Sequence, residues 1–242
     1  MGRLTWLVAE VAETVTETPH VRTLVLGVPG WTGHRAGQHV DVRLTAEDGY
    51  QAERSYSLAS APGDPPALTV ERLEDGEVSP YLVDEAVSGD RFELRGPIGG
   101  YFVWDADGPR DPLLLVAGGS GIVPFMSMIR HRRDMGSDVP TRLVYSSRTL
   151  DDVIYRDELD SLAARGDGLE VVYTFTREPP PSWTGYARRV DIDLLRDVAF
   201  PPQQEPRIFV CGPTSFVEAV ADNLVALGHR PGRVRTERFG GG

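Results

Sequence analysis

An N-terminal antiparallel β-barrel joined to a C-terminal doubly wound parallel sheet is the fold this sequence predicts. Three observations lead there. Up to about Trp104 the chain reads as short strands punctuated by turn residues, the rhythm of an antiparallel barrel or sandwich. After Asp105-Ala106-Asp107-Gly108-Pro109 it changes to wholly apolar runs alternating with helical stretches, as in a parallel sheet covered on both faces. A length of 242 residues also suits two domains of about 100–150 residues each, or one large α/β unit, and the change of rhythm favours two. The boundary is therefore expected between residues 1–104 and 105–242.

In the first half the expected strands are Val21–Val28, Gln38–Leu44, Arg54–Ser60, Ala67–Leu73 and Asp90–Leu94. Between them lie Pro29-Gly30, Asp48-Gly49, Pro62-Gly63-Asp64, Asp75-Gly76 and Ser88-Gly89, residues that supply the dihedrals of tight turns. One helix is expected near Ser79–Ala86, with Ser79 as N-cap and Pro80 at the first helical position. The second half opens with a strand, Leu113–Ala117, a glycine cluster and a helix, Pro124–Met135. Strand Arg142–Ser146, helix Arg156–Arg165, strand Leu169–Thr176 and helix Val190–Val198 follow. Strand Arg207–Cys211, helix Thr214–Leu227 and strand Arg233–Arg238 complete it. No internal repeat occurs, and Pro179-Pro180-Pro181 reads as a rigid surface loop.

Composition removes several chemistries. All 25 basic residues are arginines, which excludes lysine Schiff bases and a Walker A lysine. Against 36 acids they leave a net charge of −11, a poor footprint for nucleic acid or an anionic membrane. A single cysteine, Cys211, excludes an internal disulfide, a cysteine-rich zinc site and a four-cysteine iron–sulfur cluster. His20, His34, His39, His131 and His229 are scattered, with no two at ligand spacing on one helix, so no metal is expected. The N-terminus runs into Glu10 and Glu13 without an apolar signal core, and no run approaches the roughly 18–20 apolar residues of a membrane span. A soluble, cytoplasmic protein is the expectation. Acids outnumber arginines 16 to 8 in residues 1–104 but only 20 to 17 beyond, so the second half is the better receiver of a phosphorylated ligand.

The motifs sharpen this. Leu113–Ala117 runs into Gly118-Gly119-Ser120-Gly121-Ile122-Val123-Pro124, where glycines let backbone N–H groups approach a pyrophosphate at a helix N-terminus. The third glycine of the usual dinucleotide fingerprint is missing, and taken alone the turn is equally well a tight connection. Cys211-Gly212-Pro213 ends a second strand, and ligands of such sheets gather at strand carboxyl ends, so Gly118 and Cys211 should face one crevice. The plainer reading of Cys211 is a buried thiol capping a strand. In the barrel, Arg54-Ser55-Tyr56-Ser57 combines a guanidinium that can fork onto a phosphate, a phenol that can lie on a flat ring, and a hydroxyl for a ring nitrogen. By itself it is equally an Arg/Tyr ladder.

Taken together and in order, Arg-x-Tyr-Ser, Gly-x-Val-Ser (Gly76–Ser79), the glycine turn and Cys-Gly-Pro resemble the ferredoxin–NADP reductase superfamily. Glu237-Arg238-Phe239 looks like that family's closing acid–x–aromatic, and the match spans about residue 5 to 239. The resemblance implies a Greek-key barrel holding FAD and a Rossmann-like domain taking NAD(P)H. It implies that Arg54 holds the FAD pyrophosphate, Tyr56 lies against the isoalloxazine and Ser57 bonds near flavin N5. Val70 and Arg72 would line the path of the FAD side chain, with Gly76, Val78 and Ser79 giving donors to its phosphates. Gly118, Gly119, Gly121 and Pro124 would cradle the NAD(P) pyrophosphate. Cys211, Gly212 and Pro213 would border the nicotinamide, Phe239 would guard the flavin face, and Glu237 would sit by the reacting atoms. The tail Gly240-Gly241-Gly242 departs from the pattern, since Phe239 is then not terminal.

The function so implied is hydride transfer from NAD(P)H to FAD, with Ser57, Cys211 and Glu237 at the chemistry, then single electrons to an external acceptor. A ferredoxin or an oxygenase component would be that acceptor, met by a monomer. Arg130, Arg132, Arg133, Arg235 and Arg238 are candidates for a docking patch, the first three equally well a solvated helix face. Ser147 and Arg148 end a strand where an NAD site would carry an acid, which favours NADPH, although Asp151 and Asp152 follow and would favour NADH. The rivals are a free-flavin reductase and a non-catalytic, FAD-bearing electron-relay or regulatory module.

Overall fold

The computed structural model describes residues 5–239. Their contacts divide the chain into two units, one reaching to Asp105 and including Val123–Met135, the other made of Ala106–Ile122 and the chain from Gly136 onward.

The first unit holds six antiparallel strands: β1 (Trp6–Thr18), β2 (Val21–Gly27), β3 (His39–Thr45), β4 (Gln51–Ser57), β5 (Ala67–Glu71) and β6 (Arg91–Ile98). Their order is β4-β3-β6-β1-β2-β5, so the last strand inserts between β3 and β1 in Greek-key fashion. The two ends of the sheet meet through one bridge, Leu58 to Leu68, and Ala59 N–H donates to the Ala67 carbonyl at 2.8 Å. A barrel, not a sandwich, results. Leu24, Leu26, Val40, Val42, Leu68, Val70, Phe92 and Leu94 fill it.

The long central strand β1 is absent from the sequence reading. It pairs with β2 on one side and β6 on the other, and its register shifts between Val11 and Glu13. That bulge at Ala12 breaks the two-residue alternation by which a strand is recognised. The helix expected over Ser79–Ala86 is a single π turn, Tyr81–Glu85, closed by Ala86 N–H to the Tyr81 carbonyl at 2.9 Å. Ser79 does not cap it. Its hydroxyl accepts instead from the Leu73 N–H at 3.1 Å, while the Arg22 guanidinium donates to the carbonyls of Val83 and Ala86 at 3.0 Å.

Helix α1 (Val123–Asp134) is held to the barrel: Ser127 Oγ donates to the Ser60 carbonyl at 2.6 Å and Arg130 to that of Ala59 at 2.8 Å.

The second unit is a parallel sheet of β7 (Leu113–Gly118), β8 (Thr141–Thr149), β9 (Leu169–Glu178), β10 (Arg207–Pro213) and β11 (Val234–Phe239), in the order β11-β10-β7-β8-β9. Helices α2 (Arg156–Ala163), α3 (Ile192–Val198) and α4 (Thr214–Ala226) follow β8, β9 and β10. The chain winds from β7 outward through β8 and β9, then crosses to β10 and β11. The strand order therefore reverses between β7 and β10, the position at which doubly wound sheets bind ligands. Every residue of β7 is buried, as its unbroken apolar run requires of a central strand. Asp191 starts α3 by accepting from the Leu194 N–H at 2.8 Å. Among the described residues no helix is long and apolar enough to cross a membrane, and no three His, Cys, Asp or Glu side chains could together hold a metal ion.

Candidate functional site

Strand β4 forms the open edge of the barrel sheet. Its residues Arg54 and Tyr56 pair with Val42 and Val40 of β3, whose side chains lie in the core, so all four share one face. Because β5 meets this edge just beyond β4, at the Leu58–Leu68 bridge and the Ala59–Ala67 hydrogen bond, the seam leaves Arg54 half exposed while Tyr56 packs on the core. Burial pushes the Tyr56 phenol up to about 12, against the opposing pull of Arg54, which keeps it a neutral donor. Ser57 is buried.

Beyond β5 the chain turns tightly, with Gly76 N–H donating to the Leu73 carbonyl at 3.0 Å. A Cβ at Gly76 would stand 2.7 Å from Ser79 Oγ and 3.1 Å from that carbonyl, so a side chain here would crowd the turn and press on the Ser79 hydroxyl. It carries Glu77, absent from the sequence reading, onto Arg54; the hydroxyl of Tyr50 donates to the same carboxylate at 2.5 Å. Arg72 pairs with Asp84 at 2.7 Å. Val70 and Val78 lie wholly within the barrel core, leaving only their backbone for a ligand.

In the parallel sheet, β7 and β10 end side by side. Gly119–Ile122 forms one 3-10 turn leading into α1, with Pro124 buried in its first turn. Gly121 packs directly on β10: a Cβ there would stand 2.1 Å from the Cys211 carbonyl oxygen. Gly118 and Gly212 both face the ring of Phe216, which a Cβ at either would crowd to 3.0 and 2.9 Å. The glycine turn and Cys211-Gly212-Pro213 are thus brought together. Phe216, in the first turn of α4, is the packing partner that local motif reading could not supply.

Cys211 is buried outright, and desolvation, then the charge of Glu237, pushes its thiol well above the usual range. It is a poor thiolate source. Glu237 lies opposite it across the β10–β11 ladder, and burial raises its carboxyl to about 7. Phe239 ends β11 opposite Pro213, and Gly240–Gly242 lie outside the described residues. At the end of β8, Ser147 is buried and Arg148 exposed. Asp152 turns to Thr149 instead, accepting from its N–H at 3.2 Å and its hydroxyl at 2.7 Å. Of the candidate docking patch, Arg132 is only 2% exposed, which removes it both from a docking surface and from a solvated helix face.

The raised carboxyl of Glu237 has a consequence for stability. The folded chain holds this proton more tightly than the unfolded one, where the group titrates near 4.5, so the penalty tied to its ionisation is absent below that pH and grows up to about pH 7. Glu237→Gln is expected to gain on the native chain by up to about 3 kcal/mol between pH 4.5 and 8. Urea midpoints of both proteins at pH 4.5 and 8 test this; an equal difference at the two pH values would refute it.

The family model described as the oxidoreductase FAD-binding domain matches residues 9–103, the barrel, and that of the oxidoreductase NAD-binding domain matches residues 115–222 of the sheet unit. The chain is 31% identical over 220 residues to NADH-cytochrome b5 reductase 1 of Emericella nidulans, covering 87% of this chain and 68% of that one. It belongs to the ferredoxin–NADP reductase superfamily. The glycine betaine monooxygenase reductase subunit of Pseudomonas aeruginosa, another relative, is 33% identical over 233 residues, 94% of this chain. This chain spans 63% of that relative's length. The crystal structure of an Amycolatopsis cytochrome P450 reductase superposes with a TM-score of 0.84 at 26% identity, over 98% of this chain and 70% of that one. The FAD-binding match thus precedes the NAD-binding one along this chain.

Proposed function

We propose that this chain is an FAD-dependent NAD(P)H reductase that delivers electrons singly to an external acceptor. One observation carries the reading. A barrel strand bearing Arg54, Tyr56 and Ser57 at an open seam shares the chain with a glycine turn at the switch point of a parallel sheet. Both suit nucleotides: Gly121 sits where a side chain could not, a side chain at Gly76 would crowd its turn, and Arg54 offers a fork for a pyrophosphate. Bound together, the two nucleotides supply hydride transfer from nicotinamide C4 to flavin N5.

The chain's part is to bind and to manage protons. Arg54 and the Gly76–Ser79 turn would hold the FAD phosphates, with Arg72 beside them. Tyr56 would lie on the flavin ring and Ser57 would donate near N5. Gly118, Gly119, Gly121 and Pro124 would take the NAD(P) pyrophosphate. Cys211, Gly212 and Pro213 would flank the nicotinamide, with Phe239 guarding the flavin face. Glu237, titrating near neutrality, is suited to hold or release a proton. An oxygenase component fits as acceptor, since one relative is named as a monooxygenase reductase subunit; a ferredoxin is the other choice. The reading places the chain in the cytoplasm, where reduced nicotinamide nucleotides are kept, and as a monomer, since one chain carries both nucleotide-binding domains.

The test is the absorption spectrum of the purified protein before and after anaerobic NADPH. A yellow protein that bleaches within seconds is expected; a colourless one that takes up no flavin refutes the reading, and a yellow one that stays yellow points to the non-catalytic module. Exposed Arg148, with Asp152 occupied by Thr149, favours a 2′-phosphate, so kcat/KM is expected to be higher for NADPH than for NADH. A clear NADH preference would reverse the coenzyme assignment.

A further inference from the structure

The segment that carries the Gly76 turn brings a carboxylate to each of two barrel arginines, Glu77 to Arg54 and Asp84 to Arg72. Glu77 is the more tightly held. One of its oxygens takes the Arg54 guanidinium and the other the hydroxyl of Tyr50, from the β3–β4 hairpin. These two hydrogen bonds, that of Tyr50 foremost, hold its carboxyl below the usual range, so it is ionised at every working pH. Three residues from separate stretches of the barrel surface thus converge where the flavin phosphates are assigned.

Resting on the reading of the barrel as an FAD site, we propose that Glu77 sets flavin affinity: it is an anchored negative charge that competes with the flavin's phosphates for Arg54, so that the flavin is held loosely enough to exchange. The Arg54–Glu77 pair is about half exposed on both sides, and such pairs are weak enough for a phosphate to displace the carboxylate. Displacement does not remove it. Tyr50 keeps the carboxylate within a few ångströms of the incoming anion, where like charges repel, and Tyr50 is in that sense a positioning residue. A flavin without phosphate is indifferent to all of this, which gives the inference its discriminating measurement.

The flavin-stripped chain is titrated with FAD, FMN and riboflavin, following flavin fluorescence, in its native form and as Glu77→Gln. FAD and FMN are expected to bind about fivefold tighter to the variant, with riboflavin unchanged. Glu77→Ala is the second variant, expected to shift the same two ligands the same way, and Tm values of the stripped proteins report whether either change disturbs the fold. Unchanged or weaker FAD binding, or riboflavin tightened as much as FAD, overturns the inference while leaving the functional reading intact. A native chain that binds none of the three flavins overturns the functional reading itself.

Discussion

Replacing Gly121 by alanine is expected to lower the stability of the sheet unit by about 3 kcal/mol or more, the upper range for overpacking at a closed site. The added methyl would stand 2.1 Å from the Cys211 carbonyl oxygen, 2.5 Å from its carbon and 2.8 Å from the Gly212 nitrogen. All three are backbone atoms of β10, and Cys211 is fixed in register with Ala117 on one side and Glu237 on the other. No rotamer relieves such a clash, so either the turn lifts off the strand end or β10 moves against its neighbours. Gly119→Ala is the matched control. That glycine has a φ of +56° and a methyl added there would meet nothing within 4 Å, so only a left-handed backbone penalty of about 1–2 kcal/mol applies. Calorimetry on the two variants should therefore rank Gly121→Ala well below Gly119→Ala. The opposite ranking would mean that the turn's dihedrals, and not its contact with β10, require glycine there.

What could be read from sequence was whatever local chemistry decides. The run Leu113–Ala117 and the glycines after it announce a central parallel strand and its turn without reference to any partner. Arg54-Ser55-Tyr56-Ser57 reads as a strand for the same reason. The failures share a cause in distant partners. Strand β1 escapes because the bulge at Ala12 changes which residues face inward halfway along, and because three glutamates occupy its sequence. Ser79-Pro80 is a good local start signal for a helix, yet the Leu73 N–H claims the Ser79 hydroxyl and Arg22, some sixty residues upstream, satisfies the last carbonyls of a shorter turn. Arg132 looks like a solvated residue on α1 until its burial is seen. In the site, Tyr50 and Glu77 are 27 residues apart, and nothing in either stretch indicates that they meet over Arg54. The raised carboxyl of Glu237 likewise depends on burial, which only the assembled sheet provides.

Arg54→Ala is expected to lower FAD affinity about 10- to 100-fold, the equivalent of one charge-assisted contact of about 1.5–3 kcal/mol. The fold should scarcely register the change. Arg54 is half exposed, its partner Glu77 faces solvent, and an exposed pair of this kind contributes about 0–1 kcal/mol. A large loss of flavin with a nearly constant Tm is thus the signature of a ligand contact. A structural ladder, the competing view of the Arg/Tyr strand, would give the reverse: a falling Tm with flavin content following it down. Flavin-to-protein ratios after gel filtration, measured beside Tm, separate the two. Arg54→Lys refines the assignment, because a lysine restores the charge but not the two-pronged donor geometry that a pyrophosphate can engage. It is expected to recover only part of the lost affinity, whereas full recovery would show that charge alone, without the fork, holds the phosphates. Since Glu77 and the hydroxyl of Tyr50 remain behind in the alanine variant, the exposed carboxylate then faces the phosphates with no cation between them, which places the expected loss towards the upper end of the range.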